Sequence, residues 1–524
     1  MRQILKSWDK FERQEISPSE AKRLFADNPY KLELIAEFIG QGSSLSVYQS
    51  GDYVDLCRGG HVDHPDQQLK HFKLLSIAGA YWRGDEKNPM LTRIYGTAWP
   101  TKKELDHYLW QLQEAKKRDH KKIGPQLELF MFHETAPGMP YWLPKGLIVL
   151  NELINFWRIE HSKRNYHEIK SPLINKKELY VTSGHWDHYR ENMFLSETEE
   201  AETYALKPMN CPNAMIVFAS QTRSYKDLPL RLSDTDTLHR FERSGVLNGL
   251  LRVREFSQDD AHIFVSEDQI KDEYKRLFEI TERFYSIFGI EYSFRLGTRP
   301  KDFMGDPQVW KKAESELRRI LETSHKEFSV LEGDGAFYGP KIDILMNDSL
   351  GRGWQMGTLQ LDFQIPARFK LQYAAPDGTM KTPVVIHRVI YGSLERFMGI
   401  LIEHYAGAFP VWLAPVQAAI LPISEKHLDY AKKVTQQLVE QGIRVELDDR
   451  AESLQKRIRD AELKKIPYMV IIGDKEVKSN TVSIRARGEK DLGSMNLKKF
   501  ISLISQEISS KATTNSHSNE EGTT

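Results

Sequence analysis

The sequence predicts an α+β protein in three parts: a central antiparallel sheet flanked by helices, an α/β domain after it and a smaller α+β domain before it. Three observations lead there. The length of 524 residues exceeds what one hydrophobic core supports, since single cores stop growing at roughly 250–300 residues. From about residue 409 the chain alternates buried-strand runs with amphipathic helices, the pattern of parallel strands joined by crossovers. Residues 240–264, R-F-E-R-S-G-V-L-N-G-L-L-R-V-R-E-F-S-Q-D-D-A-H-I-F, read as strand, loop and returning strand with chemistry alternating at period two.

Taken in order, residues 1–100 mix helical and strand patterns and contain D-L-C-R-G-G-H at 55–61. A stretch rich in Lys, Glu, Gln and Leu follows and ends K-K-R-D-H-K-K-I-G, so 101–124 reads as a charged linker helix stopping near Gly124. The central domain is expected over 125–409. It includes a helix at 268–288, where Leu277, Thr281, Phe284 and Phe288 recur at helical spacing before Gly289. The third domain, 410–510, runs strand V-W-L-A-P-V-Q-A-A-I-L-P-I, helix 425–441, Gly442, strand I-R-V-E-L, a basic helix and strand Y-M-V-I-I-G. Residues 511–524 lack the apolar content a core needs and read as a disordered tail.

Lys+Arg and Asp+Glu both total 73. No global positive field advertises nucleic acid, so an RNA partner has to meet local basic surface. The two cysteines, Cys57 and Cys211, fall in segments not expected to share a domain, which excludes a disulfide framework. The N-terminus lacks the apolar core of a signal peptide, and no run approaches the roughly 18 apolar residues of a membrane span. A soluble cytoplasmic protein without a membrane partner is the expectation.

The chemistry concentrates in 240–264. Arginine forks grip phosphate or carboxylate bidentately, an aromatic stacks on a base, and strand alternation sends Arg252, Arg254, Phe256, Gln258, Asp260 and His262 to one face. That suits a nucleoside triphosphate. The same residues read equally as a salt-bridged hairpin in which arginines and acids neutralise one another. No glycine-rich loop competes: G-x-x-x-x-G-K-[ST] is absent, and E-G-D-G-A-F-Y-G-P-K lacks the dinucleotide spacing. Cys211, His262 and His387 lie too far apart for spacing alone to suggest a metal site.

R-N-Y-H-E-I-K-S-P at 164–172, the 240–264 segment and Y-G-S-L-E-R-F at 391–397 resemble motifs 1, 2 and 3 of the class II aminoacyl-tRNA synthetases. M-N-C-P-N-A-M, Q-D-D-A-H-I-F, G-A-F-Y-G-P-K-I-D, W-Q-M-G-T-L-Q-L-D-F and H-R-V-I-Y-G-S-L-E-R-F resemble the threonyl-tRNA synthetases among them, from about residue 43 to 492. The resemblance implies a class II antiparallel catalytic domain, a C-terminal α/β anticodon-binding domain and an N-terminal editing-domain remnant. It also implies a threonine–tRNA ligase that forms threonyl-adenylate from threonine and ATP and passes threonine to the 3′ end of tRNA(Thr).

Carried over residue by residue, the resemblance places one Zn²⁺ per subunit on Cys211, His262 and His387. Three protein ligands leave an open position. Threonine can occupy it through amino group and hydroxyl, whereas isosteric valine has no hydroxyl to offer, and such a site rejects the missing group by roughly 10⁴ or more. Asp260 is assigned to the hydroxyl, with Gln258, Tyr338 and Lys341 around the amino acid. Arg240 would hold the α-phosphate and substrate carboxylate, and Arg252 and Arg396 the outer phosphates. Glu242 would meet the adenine amino group, Phe256 would stack on the ring, and Gln355 and Gln360 would complete the nucleotide pocket, with Mg²⁺ entering on ATP. No general base is needed, because the attacking carboxylate is already ionised. Glu476 in G-D-K-E-V and Arg485 in S-I-R-A-R would read the anticodon. Motif 1 implies a homodimer; DNA is not an expected partner. A proline or serine synthetase and a non-catalytic RNA-binding paralogue are the competing readings.

Three departures stand out. Asn165 replaces the usual glycine of motif 1, where a left-handed turn suits asparagine better than most residues. Ala451 stands where asparagine is common. Cys57 and His61 match the editing C-x-x-x-H, but no histidine precedes His61 to supply the upstream H-x-x-x-H pair. The expectation is an N-terminally shortened chain, natural or a fragment, that lacks cis editing of seryl-tRNA.

Overall fold

Capping residues start two helices of the N-terminal unit. Ser17 forms a capping box with Glu20 and precedes Pro18 of α1 (Pro18–Leu24), and Asn28 caps α2 (Pro29–Gly40), again ahead of a proline. Ala21 and Ile35 from these helices pack with Leu45 of an antiparallel sheet made of β1 (Glu12–Ile16), β2 (Leu45–Ser50) and β3 (Tyr53–Leu56). A long hairpin, β4 (His71–Tyr81) and β5 (Met90–Trp99), follows with Leu74, Ile77 and Ile94 exposed. The computed structural model describes residues 1–512 except His325 and Glu489. The expected tail therefore lies, from 513 onward, outside the described residues. The chain forms two units, Met1–Lys116 and Lys117–Thr524.

The single linker helix expected from the sequence is broken in the structure. α3 (Lys102–Arg118) ends before Asp119, whose side chain caps the Lys121 amide and starts α4 (His120–Gln126). Gly124 does not stop it. A Cβ at Gly124 would lie 2.2 Å from Phe130 Cε1, so glycine is there for packing, and the helix runs on through Pro125.

α5 (Pro144–Ser162) leads into a nine-stranded sheet, whose main path is made of β6 (Tyr166–Glu168), β7 (Leu230–Asp234), β8 (Glu255–Val265), β9 (Tyr292–Gly297), β10 (Phe328–Leu331), β11 (Lys341–Asn347), β12 (Gly353–Asp362) and β13 (Val384–Ser393), with a short strand, Thr237–His239, pairing β8 off that path. Their order is β10-β9-β11-β12-β13-β8-β7-β6, antiparallel except at the two outer pairs. α6 (Cys211–Ala219), α7 (Ile270–Ser286), α8 (Pro307–Ser324) and α9 (Leu394–His404) flank it. α7 falls inside the expected 268–288, shortened by a one-turn 3₁₀ entry at Glu267–Gln269. The core joins Phe156 of α5, Phe284 of α7, Leu317 of α8, Ile342 of β11 and Phe397 of α9.

The C-terminal sheet orders β14 (Ala418–Pro422), β15 (Val445–Leu447), β16 (Tyr468–Ile472), β17 (Thr481–Ala486) and β18 (Lys490–Asn496) as β15-β14-β16-β17-β18. Parallel pairing, as expected, holds for the first three, connected by α10 (Leu428–Glu440) and α11 (Leu454–Leu463). The last two are antiparallel. Only α12 (Asp474–Ser479) joins β16 to β17, too short for a parallel crossover, which takes about a dozen residues or more.

Candidate active site

β8 begins only at Glu255, so the single strand face expected from Arg252 to His262 starts after both arginines. Arg254 is a fastener. Its Nε donates to Glu242 O at 2.8 Å, its Nη1 to Pro137 O and its Nη2 to Ser244 Oγ, both at 3.3 Å, and 8% of it is exposed. Arg252 reaches the Glu242 carboxylate at 2.9–3.0 Å. Arg240 lies over the Phe256 ring at 5.0 Å and donates to Pro208 O at 3.2 Å. Arg396 sits in the first turn of α9, where Ser393 Oγ accepts its amide, and its Nε donates to Leu251 O at 2.9 Å. Burial, then the charges of Arg252 and Arg240, lower the Arg396 pKa. Arg240, Arg252, Phe256 and Arg396, but not Arg254, line an open cleft of ≈160 Å³ with Gln258, Thr358 and Gly392, and Glu242 is the one acidic residue among those lining it. Three crowded guanidiniums facing one carboxylate favour a polyanion.

The other end is closed. Cys211 opens α6, and His262 of β8 faces His387 of β13 in register. One ligand atom from each of the three residues lies within 4.8 Å of the others, and all three side chains are buried. The two imidazole rings stand 5.0 Å apart. His387 Nε2 spends itself on Asp362 Oδ2 at 2.8 Å, while His262 Nδ1 has no hydrogen-bond partner among the described residues. Asp362 Oδ1 meanwhile accepts from the amides of Gln364 (2.7 Å) and Ile365 (3.0 Å). Burial holds the His262 pKa well below its ordinary value, leaving the neutral imidazole that metals bind. Burial, then Asp260 and Asp362, push the Cys211 thiol up. One sulfur, two imidazoles and a carboxylate behind one of them fit a zinc ion.

Around this set, Asp260 accepts from Asn210 Nδ2 at 3.3 Å, and burial raises it to about 6 against the opposing pull of His387. The Tyr338 ring lies 5.2 Å from that of His387. Gln360 is opposite both Lys341 and His387 and donates to Gly339 O at 3.1 Å. It sits at the buried end beside His387 and is not among the residues lining the open cleft, where it was expected. Gln355 and Lys341 gather on Asp343 instead, at 2.9 and 3.2 Å, with Arg295 donating to Gln355 Oε1.

Away from the cleft, Asn165 adopts φ +59°, the left-handed turn anticipated for it. Glu476 accepts from the Gly473 amide at 2.9 Å at the start of α12, and Arg485 is half-buried on β17. Ala451 is exposed beside Arg450, which pairs with Asp448 and Asp460. In the N-terminal unit the His61 ring lies 4.5 Å from Phe11 and 4.4 Å from Tyr48, and Cys57 Sγ approaches Gly59 O at 3.9 Å.

Three side chains went unassigned in the sequence. Asp259 points away from Gln258 and Asp260 and accepts from the amides of Ile390 (3.0 Å) and Gly392 (2.9 Å). There two residues of β8 span four of β13, with Gly392 at φ +77°. Glu395 accepts from the Ser257 amide at 2.9 Å, tying α9 to β8. His185 places Nε2 3.6 Å from Cys211 Sγ and Nδ1 2.8 Å from Ser183 Oγ. The run Q-D-D was the available signal for Asp259, since period two puts one of its acids on the far face.

Comparison with known proteins agrees with this geometry. Residues 194–405 match the tRNA synthetase class II core domain (G, H, P, S and T), 417–507 an anticodon binding domain, and 45–95 the threonyl and alanyl tRNA synthetase second additional domain. The threonine–tRNA ligase of Thermotoga neapolitana is 54% identical over 509 residues, 97% of this chain and 79% of that one. The chain belongs to the threonine–tRNA ligase family. Among solved structures, the RNA binding domain of threonyl-tRNA synthetase from Cryptosporidium parvum is 41% identical with a TM-score of 0.72, over 76% of this chain and 99% of that one. A putative threonyl-tRNA synthetase from Aeropyrum pernix is 30% identical with a TM-score of 0.65, over 76% and 97%. The protein is thus a class II enzyme that charges tRNA with threonine, which sets aside the proline, serine and non-catalytic readings. No helix among the described residues is long and apolar enough to cross a membrane.

Proposed function

We propose that this ligase selects threonine with a zinc ion held by Cys211, His262 and His387 and binds ATP in the open cleft beside it. The convergence of these three ligand atoms within 4.8 Å, from residues far apart in the chain, carries the reading. Zinc supplies a Lewis-acid position for amino group and hydroxyl. Asp260, two residues before His262 on β8, takes the hydroxyl, and burial of its carboxyl makes a lost hydroxyl partner costly. Tyr338 and Gln360 close the amino-acid pocket, with Gln258 between the two ends and Lys341 beyond. Arg240 bridges substrate carboxylate and α-phosphate, Arg252 and Arg396 take the outer phosphates with Mg²⁺, Phe256 floors the adenine and Glu242 accepts from its amino group. Gln355 reaches the nucleotide only by leaving Asp343.

The same reading makes the enzyme a cytoplasmic homodimer that recognises the tRNA(Thr) anticodon through Glu476 and Arg485, organised as 1–100, linker 101–124, catalytic 125–409 and anticodon-binding 410–510. Amino-acid-dependent ATP–pyrophosphate exchange with threonine, serine, valine and proline tests the pocket. Threonine alone should support fast exchange, with serine measurable and valine near background; equal exchange with valine overturns the zinc assignment.

The 524-residue chain is also proposed not to clear seryl-tRNA. Support comes from His61, whose ring is packed between Phe11 and Tyr48, and from Cys57, which joins no group of potential ligands among the described residues. Serine lacks only threonine's methyl, worth roughly 10- to 200-fold in discrimination, so mischarging should be measurable. Preformed seryl-tRNA should decay at the same rate with and without enzyme. Accelerated decay abolished by Cys57→Ala refutes this.

A further inference from the structure

His120 lies outside every motif, is 1% exposed, and uses both ring nitrogens. Nδ1 meets Glu403 Oε1 at 2.7 Å, and Nε2 accepts from the Leu250 amide at 3.1 Å. The ring therefore bridges two elements, Nδ1 donating to Glu403 of α9 and Nε2 accepting from the loop that precedes Arg252. Asp119, His120 and Glu403 also cluster as potential metal ligands. Both imidazole nitrogens are committed to protein, so His120 has no lone pair to spare for an ion, and Glu403 is further bonded to Arg352.

The loop is shaped for this contact. Gly249 adopts φ +50°, and a Cβ there would come within 2.3 Å of His120 Nε2. The neighbouring Lys121 donates to Asn248 Oδ1 at 3.0 Å. From Leu250 the chain continues to Leu251, whose carbonyl accepts from Arg396 Nε at 2.9 Å, and then to Arg252. Both outer-phosphate arginines therefore depend on a loop whose backbone is pinned from α4.

We propose that His120 is a positioning residue for ATP: by holding the Leu250 amide against α9 it sets where Arg252 and Arg396 present their guanidiniums. The proposal rests on the assignment of these two arginines to the nucleotide. Asparagine at 120 places an amide near Nδ1 and keeps the Glu403 partner, whereas glutamine places a carbonyl near Nε2 and keeps an acceptor for Leu250. The test is ATP–pyrophosphate exchange by the full chain, with ATP and threonine varied separately. H120N should raise KM for ATP about tenfold, the worth of one buried hydrogen bond, and leave KM for threonine within about twofold. H120Q should restore ATP binding. Because a core variant can fail to fold, K121A provides a surface counterpart, expected to raise KM for ATP about threefold. Unchanged KM for ATP in soluble H120N, in K121A, or an equal effect of H120N and H120Q overturns the proposal. R252A separates the two levels: if it too leaves ATP binding unchanged, the nucleotide assignment falls with the proposal, whereas ATP binding lost in R252A but intact in H120N removes only the role of His120.

Discussion

The two ends of the active site are built on opposite electrostatic principles. At the proposed amino-acid end the groups are buried and fixed by neighbours, His387 by Asp362 and Asp260 by Asn210, and burial raises the Asp260 carboxyl to about 6. At the nucleotide end Arg252 is half exposed and satisfied by Glu242, and the cleft is open. Desolvation governs the first and screened charge the second. The buried end is preorganised and suited to rejecting a wrong neighbour by one functional group. On the proposed assignment, the exposed end exchanges Arg252 from Glu242 to phosphate each turnover, which suits a ligand that enters as ATP and leaves as pyrophosphate.

The largest expected effect tests the buried end. Cys211→Ala should remove bound zinc, read by metal analysis, and lower kcat/KM for threonine by roughly 10⁴; threonine activation by rigorously metal-free protein at the normal rate breaks the contrast. Asp260→Ala should shrink the threonine-to-valine ratio of kcat/KM about 100-fold while KM for ATP stays put. A shift in ATP affinity instead would place Asp260 at the wrong end. Salt probes the exposed end: between about 0.05 and 0.5 M, KM for ATP should rise severalfold and KM for threonine should not follow. Parallel rises would mean that both ends are screened alike.

The smallest effect concerns Asp259, on the face of β8 away from the cleft. Burial raises its carboxyl from 3.8 to about 7, opposed by Arg388. Its contribution to stability is fully present below 3.8 and lost as pH rises through 7. Asp259→Asn removes that titration, so the variant should gain on the parent by a few degrees in Tm between about pH 5 and pH 8. A constant difference across that range shows that the carboxyl is not held up.

What could be read in the sequence follows from how many constraints act on each element. β8 carries its pattern most reliably from Asp260 to Phe264, where it is paired on both sides, and α7 is marked by a buried stripe and a glycine. Arg254 misled because alternation continues in letters where the strand does not, and only the carbonyls of Glu242 and Pro137 reveal its use. The linker break hid in Asp119, an ordinary polar residue until its side chain is seen capping α4. The antiparallel end of the C-terminal sheet depended on the length of α12, a quantity set by where Asn480 turns left-handed at φ +53°. Cys211, His262 and His387 were legible only through family resemblance; nothing local in the chain announces that β8 and β13 bring two of them face to face.

Asp362 divides its two oxygens between unrelated duties, one orienting His387 and the other nucleating the turn at Gln364 and Ile365. In evolutionary terms that makes the position pleiotropic. A replacement that retunes the imidazole also disturbs the turn, and one that preserves the turn while losing the second oxygen releases the imidazole. On the proposed role of His387, altered amino-acid choice through this carboxylate takes paired substitutions, with the turn rebuilt before the ring is set free.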